Sequence, residues 1–205
     1  MKAAYDLLGA AGCRRQPRGG ITKLQGKREV RHEESWSSVV RGASEADGAA
    51  LQRIDVATCT YGVVSPAPTP TSDGSFFGSR TVVDDVLVAE ADGAVAGYVK
   101  LRLVHRLESS KHVLEVTGLA VAPDYQRSSI GRQLLDAAIG AARRRGARRL
   151  TLHVLGDNLP ARALYERCGF YVEGILRDQF AFNGRYVDDV LMAYDLTNTA
   201  GSVSP

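Results

Sequence analysis

No apolar run in this chain approaches the roughly 18 residues that cross a bilayer as a helix, so the sequence offers no membrane span. Near the start, Tyr5 to Cys13 is too short and too rich in Gly and Ala to be the apolar core of a secretory leader. A cytoplasmic protein with no membrane partner is expected. Cysteine is scarce. Cys13, Cys59 and Cys168 are odd in number and widely spaced, which suits neither a disulfide framework nor zinc-ligand spacing. Free thiols and no metal are expected. Internal repeats are also lacking. Nor is there a strongly basic domain. The net charge is +3, and residues 1–34 carry +4 of it, with eight Lys/Arg against four acids, so the remainder stands at −1. That balance excludes the footprint of a nucleic-acid-binding domain, so no nucleic acid is expected.

What is present fits one globular domain with a short extension. The 205 residues are 44% hydrophobic and 24% charged. Residues 1–37 show no sustained period and are rich in Gly, Arg, Gln and Lys, so they are expected to be a basic, flexible N-terminal extension. The domain is expected over residues 38–196, with a short tail over 197–205.

Val39 to Arg41 reads as a short strand, and Ser44 as the N-cap of a helix over Glu45 to Ile54. Pro66, Pro68 and Pro70 make Val64 to Ser75 a loop. Val86 to Ala91 and Val95 to Val104 read as strands joined at Asp92-Gly93, a hairpin signal. Val113 to Val121 is a third apolar strand, stopped by Pro123. Ile130, Leu134, Leu135, Ala138, Ile139 and Ala142 recur at helical spacing over Ile130 to Arg145, with Gly146 as the stop. Arg149 to Leu155 is a strand, Leu159 to Cys168 a helix ended by Gly169, and Phe170 to Gly174 and Val187 to Asp195 are late strands around an Asn183-Gly184 turn. This order predicts an α/β (α+β) fold: a mixed central sheet with helices on both faces.

Chemistry concentrates between Val121 and Arg132. A strand ends, a polar turn follows, and a long helix begins. The first N–H groups of that helix have no intrahelical partner and share the positive end of its dipole, which makes an anion site. Gly131 permits close approach of the backbone, and Arg127 and Arg132 add positive charge. A pyrophosphate suits such a turn, although Ser128 or Ser129 would serve equally as a plain N-cap. The basic run Arg143 to Arg145 with Arg148 and Arg149 lies at a helix C-terminus, where cations complement the dipole.

Ala120-Val121-x-Pro123-x-Tyr125-Gln126-Arg127-x-x-Ile130-Gly131-x-x-Leu134-Leu135 resembles the acetyl-CoA motif of the GNAT superfamily of N-acetyltransferases, Q/R-x-x-G-x-G/A. Ser129 stands where the motif has its first glycine, a departure that bears on cofactor affinity more than on fold. About thirty residues on, Asn158-x-x-Ala161-x-x-Leu164-Tyr165-Glu166-x-x-Gly169-Phe170 is similar to a later helix of the same family. The resemblance covers about residues 38–196. It implies the GNAT acyl-CoA N-acyltransferase fold, in which two parallel strands, here Val113–Val121 and Arg149–Leu155, splay apart around the cofactor's arm.

The resemblance further implies roles for individual residues. The backbone of Leu119, Ala120 and Val121 would pair with the arm and the acetyl carbonyl. Gln126, Arg127, Ser128, Ser129, Ile130, Gly131 and Arg132 would hold the phosphates. Asn158, with Ala161 one turn on, would contact pantetheine, though Asn158 is also a natural N-cap. Tyr165 matches the acid that protonates the leaving thiolate; the bland alternative is a Tyr on the inner face of a short helix. Two positions compete as base. Glu115 stands where several members keep a glutamate, and His153, with an unperturbed pKa of about 6.5, lies in the second splayed strand. The function implied is transfer of acetyl from acetyl-CoA, as co-substrate, to a primary amine of a small molecule such as an amino acid or an amine-bearing antibiotic. A protein N-terminus or lysine as acceptor, or a non-catalytic acyl-CoA-binding domain, are the alternatives. Contact between copies through the final strands would make a homodimer.

Overall fold

The structure is a computed structural model that describes residues 38–58, 76–78, 81–105, 107–182 and 184–197. The N-terminal extension, the proline-rich loop, Asn183 and all but the first residue of the tail fall outside the described residues, and with them Cys13 and Cys59. Seven strands form one sheet in the order β1-β2-β3-β4-β5-β7-β6. They are β1 (Ser38–Gly42), β2 (Val86–Ala91), β3 (Ala94–Leu103), β4 (Val113–Val121), β5 (Arg149–Leu155), β6 (Tyr171–Phe182) and β7 (Arg185–Asp195). Among the described residues three α-helices accompany them: α1 (Gly48–Thr58), α2 (Ile130–Arg144) and α3 (Leu159–Arg167). Among these strands only β4 and β5 pair in parallel, and the sheet is therefore mixed.

Two apolar clusters hold the layers together. Leu134, Leu135, Ala138 and Ala142 of α2 are fully buried against Val99, Leu101, Leu114, Val116, Leu150 and Leu152 on one face of the sheet. Leu51 and Ile54 of α1 meet Phe76, Phe77, Val86, Val88 and Tyr98 on the other. The helical stripe read from sequence is thus the buried stripe of α2. Asp92 and Gly93 both take positive φ, 50° and 76°, which gives the β2–β3 hairpin a turn twisted to match its strands.

Two elements differ from the sequence expectation. The first helical region starts at Glu45 as expected, but as a 3₁₀ turn over Glu45–Asp47 that leads into α1 and runs on to Thr58. The Asp47 carboxylate is drawn back to the Ser44 N–H (2.7 Å) and to Arg41 (2.8 and 2.9 Å), which tightens that turn. At the far end the Thr58 hydroxyl donates to the Ile54 carbonyl at 2.7 Å. The late strand β6 is twelve residues long rather than ending at Gly174. Its register slips twice, and Asp178 takes a φ of 51° at the second slip, so the polar stretch Arg177 to Gln179 is accommodated as a bulge inside the strand.

A further irregularity positions the site. In β4, Gly118 faces Lys100 and Val116 faces Leu101, which leaves Thr117 as the extra residue of a bulge. The bulge reverses the alternation of β4. Leu114 and Val116 before it, and Leu119 and Val121 after it, all join the α2 cluster, while Ala120 joins the α1 cluster. Glu115 therefore points to the α1 face.

Candidate active site

Strands β4 and β5 pair from Val113↔Arg149 to Val116↔Leu152 and no further. From Thr117 to Val121 the β5-facing edge of β4 makes no ladder bond, while β5 continues beside β7 through Leu155. The two parallel strands splay, as expected, and leave unpaired backbone along the gap.

At the wide end lies the turn before α2. Arg127 and Ser129 both take the left-handed conformation, φ 65° and 66°, and Ser129 occupies the N-cap without a side-chain cap bond. Each non-glycine residue there costs about 1 kcal/mol, and the alternating backbone turns successive N–H groups to one side as an anion-binding nest. The N–H groups of Arg127 to Arg132 make no backbone hydrogen bond among the described residues. Around the nest, Gln126 donates to the Val121 carbonyl (3.3 Å), and the Ser128 hydroxyl donates to the Tyr125 carbonyl, so these two side chains brace the turn. Arg132 lies 3.7 Å from Asp136, and both are exposed. Ile130 is buried in the core. Gly131 has a structural duty as well: a Cβ there would come within 3.2 Å of Leu164 of α3.

The Asn158 side chain accepts from the Ala161 N–H at 3.3 Å, which is the N-cap role; its amide NH₂ is left over for other partners. Tyr165, about two turns beyond Asn158 along α3, is 8% exposed and packs 5.9 Å from Phe170 in the α2 cluster. Burial, and to a lesser degree Cys168, pushes its phenol up to about 12.

On the α1 face, four polar side chains from four neighbouring strands form a row. Arg102 of β3 lies 3.9 Å from Glu115 of β4, Glu115 lies 4.0 Å from Nε2 of His153 on β5, and Nδ1 of His153 lies 2.8 Å from Asp189 of β7. Glu115 and His153, competitors for one role in the sequence, thus face each other where the strands part. Asp189, the partner of His153, is not singled out by the sequence. An acid amid the apolar run of β7 is the signal that would have found it. Beside this row, Lys100 lies over the rings of Phe76 (5.2 Å) and Tyr98 (5.4 Å), with its ordinary pKa lowered by burial.

The basic run at the end of α2 is occupied locally. Arg145 pairs with Asp85 at 3.1 Å, Arg149 with Glu173, and Arg143 stacks 5.9 Å over Tyr194. Among the described residues, no cluster of three or more His, Cys, Asp or Glu gathers as a metal site, and no helix is long and apolar enough to cross a membrane.

Comparison with known proteins agrees with this geometry. The sequence profile described as the acetyltransferase (GNAT) family matches residues 57–170. A Bacillus subtilis (strain 168) protein provisionally named a [ribosomal protein bS18]-alanine N-acetyltransferase is 32% identical over 112 residues, 55% of this chain and 68% of that one. A spermidine N(1)-acetyltransferase of Vibrio cholerae is 31% identical over 103 residues, 50% of this chain and 57% of that one. A Salmonella typhimurium protein solved with its cofactor acetyl-CoA superposes with a TM-score of 0.67 at 23% identity, covering 81% of this chain and 98% of that one, a likeness of fold. The splayed strands, the nest at the head of α2 and the matched profile make this chain a member of the GNAT family, an N-acetyltransferase that uses acetyl-CoA.

Proposed function

We propose that the protein moves acetyl from acetyl-CoA directly to the primary amine of a small molecule that also carries a negative group, as an amino acid does. The observation that carries this reading is the row Arg102–Glu115–His153–Asp189 on the α1 face at the parting of β4 and β5. The nest formed by Gln126 to Arg132 holds the pyrophosphate through its N–H groups, with Arg127 and Arg132 adding charge. The free edge of β4, at Leu119, Ala120 and Val121, pairs with the pantetheine arm and presents an N–H to the acetyl carbonyl, where negative charge develops as the amine attacks. The Asn158 amide, beside Ala161 at the head of α3, donates to the arm.

Proton traffic runs on opposite faces of the gap. On the α1 face the Glu115–His153 pair takes the proton of the incoming ammonium. On the α2 face Tyr165 donates to the sulfur as the C–S bond breaks. Its buried phenol stays protonated throughout the neutral range, as a donor must.

Lys100 supports the choice of acceptor. Its ammonium makes no ion pair among the described residues and shares the α1 face with the row, where it offers a counter-charge to an acceptor's carboxylate while Glu115 draws the amine. A second reading, acetylation of an alanine at a protein N-terminus, is favoured by the Bacillus relative's name. Release of free thiol from acetyl-CoA with a panel of amino acids, polyamines and alanine-ended peptides tests the proposal. Turnover of amino acids above the others is expected. Preference for the peptides would move the assignment to the second reading, and acetyl-CoA binding without turnover of any amine would remove it.

A further inference from the structure

Asp189 is 4% exposed, and one of its two carboxylate oxygens, Oδ1, is buried without a hydrogen-bond partner among the described residues. The other oxygen, Oδ2, meets Nδ1 of His153 at 2.8 Å. Burying a carboxylate with an unsatisfied oxygen is costly, a cost that a residue serving only to pack would avoid. Among the described residues its one side-chain hydrogen bond goes to His153 of the row.

We propose that Asp189 is a positioning residue that fixes the tautomer of His153 and so makes His153, rather than Glu115, the group that receives the acceptor's proton. This rests on the assignment of proton removal to the Glu115–His153 pair. A carboxylate only accepts hydrogen bonds. Nδ1 of His153 therefore carries a hydrogen, and in the neutral ring it is Nε2 that keeps the lone pair. Nε2 points to the side of Glu115, whose Oε1 is 4.0 Å away. That separation is too long for a direct hydrogen bond and leaves Nε2 available to an ammonium drawn in by Glu115.

The geometry comes from pairing. Asp189 lies opposite Leu155 and His153 opposite Leu191, so the two are diagonal neighbours on one face of the β5–β7 ladder. The charged groups facing His153 are Glu115 from β4 and Asp189 from β7, with Arg102 of β3 behind Glu115. When the ammonium gives its proton to Nε2, the resulting imidazolium stands between two carboxylates, and its ring is one-third exposed (34%), which lets the proton leave to water. Glu115 attracts the amine and stabilises that cation; Asp189 holds the ring.

The test uses the full chain. ¹⁵N NMR of the wild-type imidazole, followed up in pH until the ring is neutral, reads the tautomer without any substitution. A hydrogen on Nδ1 and a bare Nε2 are expected, and the opposite tautomer overturns the proposal. Asp189→Asn is expected to keep acetyl-CoA binding, to mix the two tautomers, and to lower kcat ten- to a hundredfold. In the His153→Gln background the same substitution is expected to cost nothing further, because Asp189 acts only through His153. Full additivity, or a wild-type rate for Asp189→Asn, overturns the proposal. A wild-type rate for His153→Gln alone is a different failure: it removes His153 from proton transfer and the basis of the inference with it.

Discussion

The stem of Lys100 lies across Gly118: a Cβ at Gly118 would sit 2.5 Å from Cε of Lys100 and 3.3 Å from its Nζ. The lysine on β3 thus crosses the neighbouring strand over a residue with no side chain, and its ammonium is carried along the α1 face beside the bulge. Desolvation there lowers the pKa of the ammonium; Asp55 opposes that shift, Arg102 adds to it, and the rings of Phe76 and Tyr98 lie beneath the charge.

Lys100→Met is therefore expected to stabilise the protein near neutral pH. Burial lowers the pKa of Lys100 from its ordinary 10.5, so folding works against the charged form. That penalty is full at any pH where the folded ammonium is still charged. It fades as pH rises through the lowered folded value toward 10.5, because the folded amine is then already neutral. Thermal melts from pH 7 to 10 should show Lys100→Met with the higher Tm at pH 7 and a shrinking advantage above it. A lower Tm at pH 7 would mean that the contacts over the two rings outweigh desolvation.

The turn before α2 gives a second expectation. Ser129 holds φ 66° with no cap bond from its hydroxyl, so glycine relieves about 1 kcal/mol of strain, offset in part by the freer unfolded chain. Ser129→Gly should bind acetyl-CoA as well as the wild type or better, by calorimetry, with Tm unchanged or slightly raised. A tenfold loss of affinity would show the hydroxyl to be a ligand of the phosphates.

Local patterns in the sequence carried most of the fold. The α2 stripe, the Asp92-Gly93 hairpin, β4 and β5 follow from contiguous residues, and their bounds agree with the structure to within a residue or two. The site was legible only in halves. Glu115 and His153 were visible as chemistry, but their mutual approach depends on the register of β4 against β5 and on the Thr117 bulge, neither of which is written in a local period. Asp189 depends on the β5–β7 ladder, a pairing across more than thirty residues. The reach of Lys100 over Gly118 is likewise a contact between strands. The long β6 was missed because Arg177 to Gln179 break its alternation and are absorbed by a bulge.

The edge of the domain offers a prediction on acid stability. Arg41 of β1 holds both oxygens of Asp47 at 2.8 and 2.9 Å, and the Ser44 N–H adds a third bond. The guanidinium lowers the Asp47 carboxyl from 3.8 to about 2, against the opposing effect of burial. A carboxyl depressed by folding stabilises fully above its unfolded value and loses that contribution as pH falls through the folded value. Asp47→Asn should therefore lower stability by about 2 kcal/mol at pH 7, with the gap to wild type narrowing between pH 4 and pH 2. Urea melts at those pH values measure it; a gap of constant size would show that packing, not charge, holds Asp47.

Tyr165 separates catalysis from architecture. Its ring fills the space beside Phe170, while its hydroxyl makes no hydrogen bond among the described residues, so Tyr165→Phe removes an oxygen without opening a cavity. Tm and the KM for acetyl-CoA should change little. If the phenol donates to the departing sulfur, kcat should fall tenfold or more, and the loss should shrink with an acyl donor whose thiol is more acidic, because a better leaving group needs less help. The basic limb of the wild-type rate profile should not come from Tyr165 below about pH 11, since burial holds its phenol near 12. An unchanged kcat in Tyr165→Phe would leave the residue a core aromatic and require the proton on sulfur to come from solvent.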